Sequence, residues 1–305
     1  MKILAGTFVA ILVAFSPIGL SGSIGGQQAL FQGGVSRVTV AVVVRDSQGR
    51  PVRGLSAQDF EVRDQGISRA ITDFRNEISP ISVAMLLDTS GSMRVGLKLE
   101  RASEFAHLLL ATLTEGKDEG ALFAFEHSVH VIHDFTNRFD PLRKAFASIR
   151  AFGSTSLYDA IAETAQRVAQ RPGRHAVVVL TDGIDTSSRL TGPEVSAIAS
   201  AIDVPVYLVA VGLAIDLSSE ALVRPEVGTA EDLARWTGGA LYVATNPAEG
   251  SIAAREIVED MRHQYLLGLA SSDVPGWHRL EVRVHQRVAI QARSGYWVGD
   301  APTMR

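Results

Sequence analysis

Between Ile81 and His263 the hydrophobic positions alternate between two rhythms. Short apolar runs occupy Ile81–Leu87, Glu119–Phe125, Val129–Phe135, Ala176–Thr181, Val204–Val211 and Ala240–Val243. Several are unbroken, as expected of parallel strands buried on both faces. Between them, apolar residues recur at helical spacing. Leu97–Leu113 places Leu99, Ala102, Phe105, Ala106 and Leu109 along one face. The same period runs through Pro141–Ile149, Leu157–Gln170, Pro193–Ala201, Ala230–Thr237 and Pro247–His263. Strand alternating with helix predicts an α/β sheet layered by helices.

The flanks keep the two-residue rhythm of strands. Val38–Val44 is rich in β-branched residues, and Asp46-Ser47-Gln48-Gly49 spells a turn. Ser56-Ala57-Gln58-Asp59 has the spelling of a capping box, room for one helical turn. Gln65-Gly66 between Phe60–Asp64 and Ile67–Phe74 predicts a hairpin. The charged residues of Val38–Phe74 read as solvated strand faces or turns. After the α/β region, Tyr265–Ala270, Leu280–His285 and Ala289–Trp297 read as strands. Each flank alone is too small for a core. Together they supply about 80 residues, above a lower limit of about 40 for independent folding. The expected organisation is an N-terminal β segment at 36–79, an α/β domain at 80–263 and a C-terminal β segment at 264–299. The two β segments are expected to meet in one small all-β, sandwich-like module. Two separate hairpins packed on the α/β body are the alternative.

The N-terminus follows neither rhythm. Met1-Lys2 precedes a dense apolar stretch, Ile3–Phe15, of signal-peptide length, broken by Pro17 and Gly19. Ser21, Gly22 and Ser23 offer a cleavage site, so residues 1–23 read as a signal and 24–35 as a flexible leader. An uncleaved anchor is the alternative. Cleavage leaves no stable membrane span and predicts a secreted or periplasmic protein. Asp and Glu number 33 against 29 Lys and Arg, a net charge of −4 that becomes −5 once Lys2 is removed. No basic excess exists for nucleic acid. The absence of cysteine excludes a disulfide scaffold, a zinc-thiolate or iron–sulfur centre and a cysteine nucleophile.

The candidate chemistry lies where strands end. Asp88-Thr89-Ser90-Gly91-Ser92 follows the first apolar run of the α/β region, and Asp182 follows Ala176–Thr181. Ligands of open α/β sheets bind beyond such carboxyl ends. Between the two in sequence, Gly153-Ser154-Thr155 precedes a helix. Two carboxylates with neutral hydroxyls form a hard oxygen set, suited to Mg²⁺ or Mn²⁺. With Ser90, Ser92 and Thr155 as direct ligands, Asp88 and Asp182 act largely through bound water. The ion keeps most of its charge and favours an incoming carboxylate from a protein partner.

These residues closely resemble the metal-ion-dependent adhesion site of the von Willebrand factor type A domain. That site uses an Asp-x-Ser-x-Ser stretch, a separate Thr and a separate Asp. Asp88, Ser90, Ser92, Thr155 and Asp182 match in order, and the resemblance covers about Ile81–His263. It implies a doubly wound, mostly parallel, Rossmann-like sheet and Mg²⁺-dependent binding of a protein that supplies an Asp or Glu. Gly-Ser-Thr stands at 153–155 where Gly-Gly-Thr is common, which bears on loop geometry. The flanking stretches Val42–Val62, Thr237–Tyr242, Tyr265–Gly268 and Arg293–Tyr296 further resemble secreted proteins of this family frequent in acidobacteria.

Other chemistry fares less well. His127, His130 and His133 are regularly spaced, but on a strand His130 faces away from the other two. Asp159 and Asp185 read as caps or turn residues, and Glu126 as a weak candidate near the adhesion site. No Gly-x-Ser-x-Gly elbow, dinucleotide fingerprint or Walker A loop is present. The expectation is an exported, non-catalytic binding protein. The alternatives are a metal-dependent hydrolase using the same site, and a structural envelope protein whose site is a relic.

Overall fold

The computed structural model describes residues 37–182, 187–190, 194–195, 198–199, 203–211 and 230–299. The expected signal and leader lie outside these residues. So does Asp185, and the helix expected at Pro193–Ala201 is described only at 194–195 and 198–199, where it is helical.

All eight residues of the strand Ile81–Asp88 are buried. We number the strands in chain order. β1 is Arg37–Arg45, β2 Phe60–Asp64, β3 Ile67–Arg69, β4 Ile71–Arg75 and β5 Ile81–Asp88. β6 is Glu119–Phe125, β7 Val129–Thr136, β8 Arg174–Thr181, β9 Val206–Val211 and β10 Leu241–Ala244. One sheet has the order β10-β9-β8-β5-β6-β7, parallel except for β7 at its edge. The helices are α1 Lys98–Thr112, α2 Phe139–Ala145, α3 Leu157–Val168, α4 Ala230–Thr237 and α5 Pro247–His263. Alternate side chains of β5 leave for opposite faces, as the pleat requires. Ile81, Val83, Met85 and Leu87 join a core with Phe105 and Leu109 of α1 and Ile257 of α5. Ala84 and Leu86 join a second core with Leu157 and Ile161 of α3 and Leu233 of α4. The sheet is thus doubly wound and mostly parallel.

The remaining strands are β11 Tyr265–Ala270, β12 Gly276–Val284, β13 Ala289–Ala292 and β14 Gly295–Val298. They interleave with β1 to β4 in two antiparallel four-stranded sheets, β13-β1-β11-β4 and β14-β12-β2-β3. Both flanks feed one core, in which Val40, Val42, Phe60 and Val62 meet Tyr265, Leu267, Leu280 and Tyr296. This is the all-β module expected of the flanks. Gln65 and Gly66 both adopt positive φ, the geometry of a tight hairpin turn between β2 and β3.

Three expectations need correction. Ile67–Phe74 is not one hairpin arm: it breaks at Ala70, so that β3 pairs with β2 and β4 pairs with β11 in the other sheet. Ala289–Trp297 is not one strand: it breaks at Arg293-Ser294 and its halves serve different sheets. Gly295 permits the crossing, because a Cβ there would lie 2.3 Å from Trp277 Cζ2 and 2.4 Å from the His278 carbonyl oxygen. Nor are all charges of the N-terminal flank solvated. Asp64 is buried and accepts from Tyr296 Oη at 2.9 Å and Arg69 Nη2 at 3.1 Å, with His278 Nδ1 at 2.9 Å. Arg45 reaches across to buried Asp260 of α5 as an ion pair. Alternating strand patterns show which side chain points inward, and buried ion pairs defeat the assumption that a charge points out.

Candidate metal centre

β5 and β8 are neighbours at the centre of the large sheet, and the strand order runs outward from them in both directions. Their carboxyl ends therefore open on a crevice at the reversal of strand order. Asp88, the last residue of β5, is fully buried there. Its Oδ1 accepts the Ser90 N–H at 2.8 Å and its Oδ2 accepts the Thr181 hydroxyl at 2.6 Å. The chain then enters a 3₁₀ turn, Gly91–Arg94, which sets the Ser90 and Ser92 hydroxyls 3.0 Å apart.

The Thr155 loop is stitched to this turn by its backbone. Phe152 N–H donates to the Thr89 carbonyl at 2.7 Å, and Gly91 N–H donates to the Gly153 carbonyl at 3.0 Å. Thr155 itself is buried, and its carbonyl accepts the Ser187 N–H at 3.0 Å. The positive φ of this loop, +90°, falls on Gly153, where a Cβ would lie 2.2 Å from Glu126 Oε2. Ser154 is exposed and carries no such constraint, so the Gly-Ser-Thr spelling fits the loop.

Asp182 follows β8, with its side chain only 1% exposed. Its Oδ2 holds the Lys98 ammonium at 2.8 Å. Among the described residues its buried Oδ1 has no hydrogen-bond partner. Lys98 was not singled out in the sequence, yet a signal existed. A lysine in the first turn of a helix opposes the macrodipole and calls for a carboxylate. Burial pushes the Asp88 carboxyl above its ordinary value; hydrogen bonds from Thr181 and Ser90 oppose the rise, and the nearby Asp182 charge adds to it. Two buried carboxylates against one ammonium leave an excess negative charge. A cation would relieve it and would satisfy Asp182 Oδ1, so the donor set fits a hard divalent ion.

The other candidates have different work. Glu126 is buried behind Gly153 with His127 Nδ1 at 3.2 Å and His130 Nε2 at 3.8 Å. His133 Nδ1 lies 2.7 Å from the Asp134 carbonyl oxygen. Asp159 accepts the Arg189 and Leu190 N–H groups at 3.1 and 3.0 Å, tethering the segment after Asp182. Among the described residues no three His, Cys, Asp or Glu side chains form a metal-holding group, so any ion at the sheet crevice depends on the hydroxyls.

A family model for the von Willebrand factor type A domain matches residues 83–184, which include all five expected site residues. The chain carries a von Willebrand factor type A domain. No curated protein matches the chain. Among solved structures, it is similar to an aerotolerance-related membrane protein of Bacteroides fragilis carrying multiple mutations to serine. That match has 19% identity, covers 59% of this chain and 98% of that one, and has a TM-score of 0.48. BatB of Bacteroides thetaiotaomicron is similar at 18% identity over 59% and 98% of the two chains, with a TM-score of 0.46. A von Willebrand factor type A protein of Catenulispora acidiphila is similar at 14% identity over 78% and 73%, with a TM-score of 0.48.

Proposed function

We propose that this protein is an exported, non-catalytic binding protein whose von Willebrand factor type A domain grips a partner through Mg²⁺ or Mn²⁺. Ser90, Ser92 and Thr155 would hold the ion, and Asp88 and Asp182 would act on it largely through water. The ion supplies a Lewis-acidic open position for an Asp or Glu of the partner. The chain's own residues do the positioning. Thr181 and the Ser90 N–H orient Asp88, and the backbone stitch from Thr89 to Phe152 brings the Thr155 loop to the serine turn. The observation that carries this reading is Asp182 Oδ1, buried and unpartnered among the described residues, beside Asp88 inside the matched segment. A buried acceptor left unmet costs about 1–3 kcal/mol, more when charged, and a bound cation removes that cost.

Export rests on the apolar stretch after Met1-Lys2. Among the described residues no helix is long and apolar enough to cross a membrane. Titration calorimetry with Mg²⁺ tests the metal reading. The wild-type chain should bind one ion and Asp88→Ala should lose it. No heat from the wild type, or an unchanged Asp88→Ala isotherm, overturns it. Turnover of phosphoester or peptide panels that EDTA abolishes would favour the hydrolase instead.

A further inference from the structure

Resting on the metal reading, the structure assigns the partner's chemistry: we infer an acidic residue flanked closely by aromatic or large aliphatic side chains. Large apolar side chains scattered singly over a surface need no explanation, whereas a group around one site does. Val95 is 66% exposed, Leu97 62% and Phe152 60%. Val95 and Leu97 follow the serine turn, Phe152 precedes the threonine loop, and the two loops are hydrogen-bonded at their bases through Thr89, Gly91, Phe152 and Gly153. The three therefore rim the crevice that holds Asp88, Ser90 and Ser92.

Two further observations point to a ligand. Leu97 adopts a left-handed backbone, φ +63°, which costs a residue with a Cβ about 1–2 kcal/mol. Burial of its side chain does not repay that cost, and strain kept at an exposed position is characteristic of binding surfaces. Arg94 ends the serine turn and Arg150 stands two residues before Phe152. Arg94 is exposed and Arg150 donates only to the carbonyls of Ala147 and Ile149, so neither meets a carboxylate among the described residues. Both arginines stand out on a chain of net charge −4. Basic and apolar side chains around a cation site complement an acidic segment with apolar neighbours, and the arginines steer its approach.

The test pans a displayed library of random linear twelve-residue peptides on the full chain in Mg²⁺, with elution by EDTA. Enriched peptides should carry one Asp or Glu with a Phe, Tyr, Trp, Leu or Ile within two positions. The consensus peptide, made synthetically, should bind Phe152→Ser and Leu97→Asn about tenfold or more weakly than wild type. Asparagine tolerates the left-handed backbone, so Leu97→Asn should melt no lower than wild type, and both variants should keep the wild-type Mg²⁺ isotherm. Acidic peptides with polar neighbours, no enrichment over blank beads, or full affinity in both variants overturns the inference while Mg²⁺ binding stands. A wild-type chain that takes up no Mg²⁺ refutes the metal reading, and this inference with it.

Discussion

Replacing Lys98 by methionine keeps the aliphatic stem and removes the ammonium that sits 2.8 Å from Asp182 Oδ2. The Asp182 side chain is 1% exposed and that of Lys98 14%, so the pair is sheltered from solvent. Breaking a buried pair by removing one partner costs about 3–5 kcal/mol, chiefly because the other charge is left uncompensated. The partial exposure of Lys98 brings the expectation down to about 2–3 kcal/mol. With about 2–4 °C lost per kcal/mol for a domain of this size, the variant in EDTA should melt about 5–10 °C below wild type. Mg²⁺ should reverse most of that loss. An ion at 100 times its Kd stabilises by about 2.7 kcal/mol. In the variant both Asp182 oxygens are free for it and the nearby like charge is gone, so Mg²⁺ should bind about tenfold more tightly than to wild type. Melting curves over a Mg²⁺ series, paired with calorimetry, read both quantities. Equal Mg²⁺-induced shifts in the two proteins, or a variant as stable as wild type in EDTA, would show that Lys98 and the ion do not share Asp182.

Three other outcomes test the surrounding structure. Burial pushes the Asp260 carboxyl up to about 7 despite the Arg45 guanidinium. Its raised folded-state value means that its contribution is full below about pH 4 and is lost as the pH rises through 7. Urea titrations in EDTA should therefore show wild-type stability falling relative to Asp260→Asn between pH 4.5 and 7.5, by on the order of 3 kcal/mol; a flat difference refutes the burial argument. Asp64→Ala strips the partner from Tyr296, His278 and Arg69 together. Urea unfolding should register a loss of about 3–5 kcal/mol, and a loss below about 1 kcal/mol would show that the three donors find water instead. Gly153→Ala places a methyl against Glu126 at φ +90°. It should cost about 1–2 kcal/mol in stability and at least tenfold in Mg²⁺ affinity, because the Thr155 loop must shift; an unaltered isotherm would separate that loop from the ion.

Legibility in the sequence followed burial. β5, β6 and β8 each hold an apolar run of about five residues, too short for a buried helix and as expected of a strand buried on both faces. Asp88 and Asp182 stood out because each ends such a run, and the structure sets both at one crevice. Thr155 was legible through its glycine. Lys98 was legible only as a mismatch with the helix dipole, and no local pattern names the carboxylate 84 positions away that it answers. The break at Arg293-Ser294 was hidden for a similar reason: β13 and β14 share one alternating pattern, and only the close approach of Trp277 to Gly295 separates them.

The absence of cysteine connects these misses. This chain has no disulfide to staple a small β module or fasten it to the α/β body. Buried polar links stand at the places where a staple would serve. Asp64 gathers β2, β3, β12 and β14 through Arg69, His278 and Tyr296. Arg45 of β1 pairs with Asp260 of α5, and Arg174 at the start of β8 donates to the Met261 carbonyl of the same helix at 2.9 Å. Gln264 alone separates α5 from β11, so the helix is pinned on both sides of its exit into the module. A shift of α5 on ligand binding would have to break the Arg45 and Arg174 links together. Hydrogen exchange in α5 and β11 should therefore be equally slow with and without Mg²⁺, and faster exchange of both in the loaded chain would show that the seam opens.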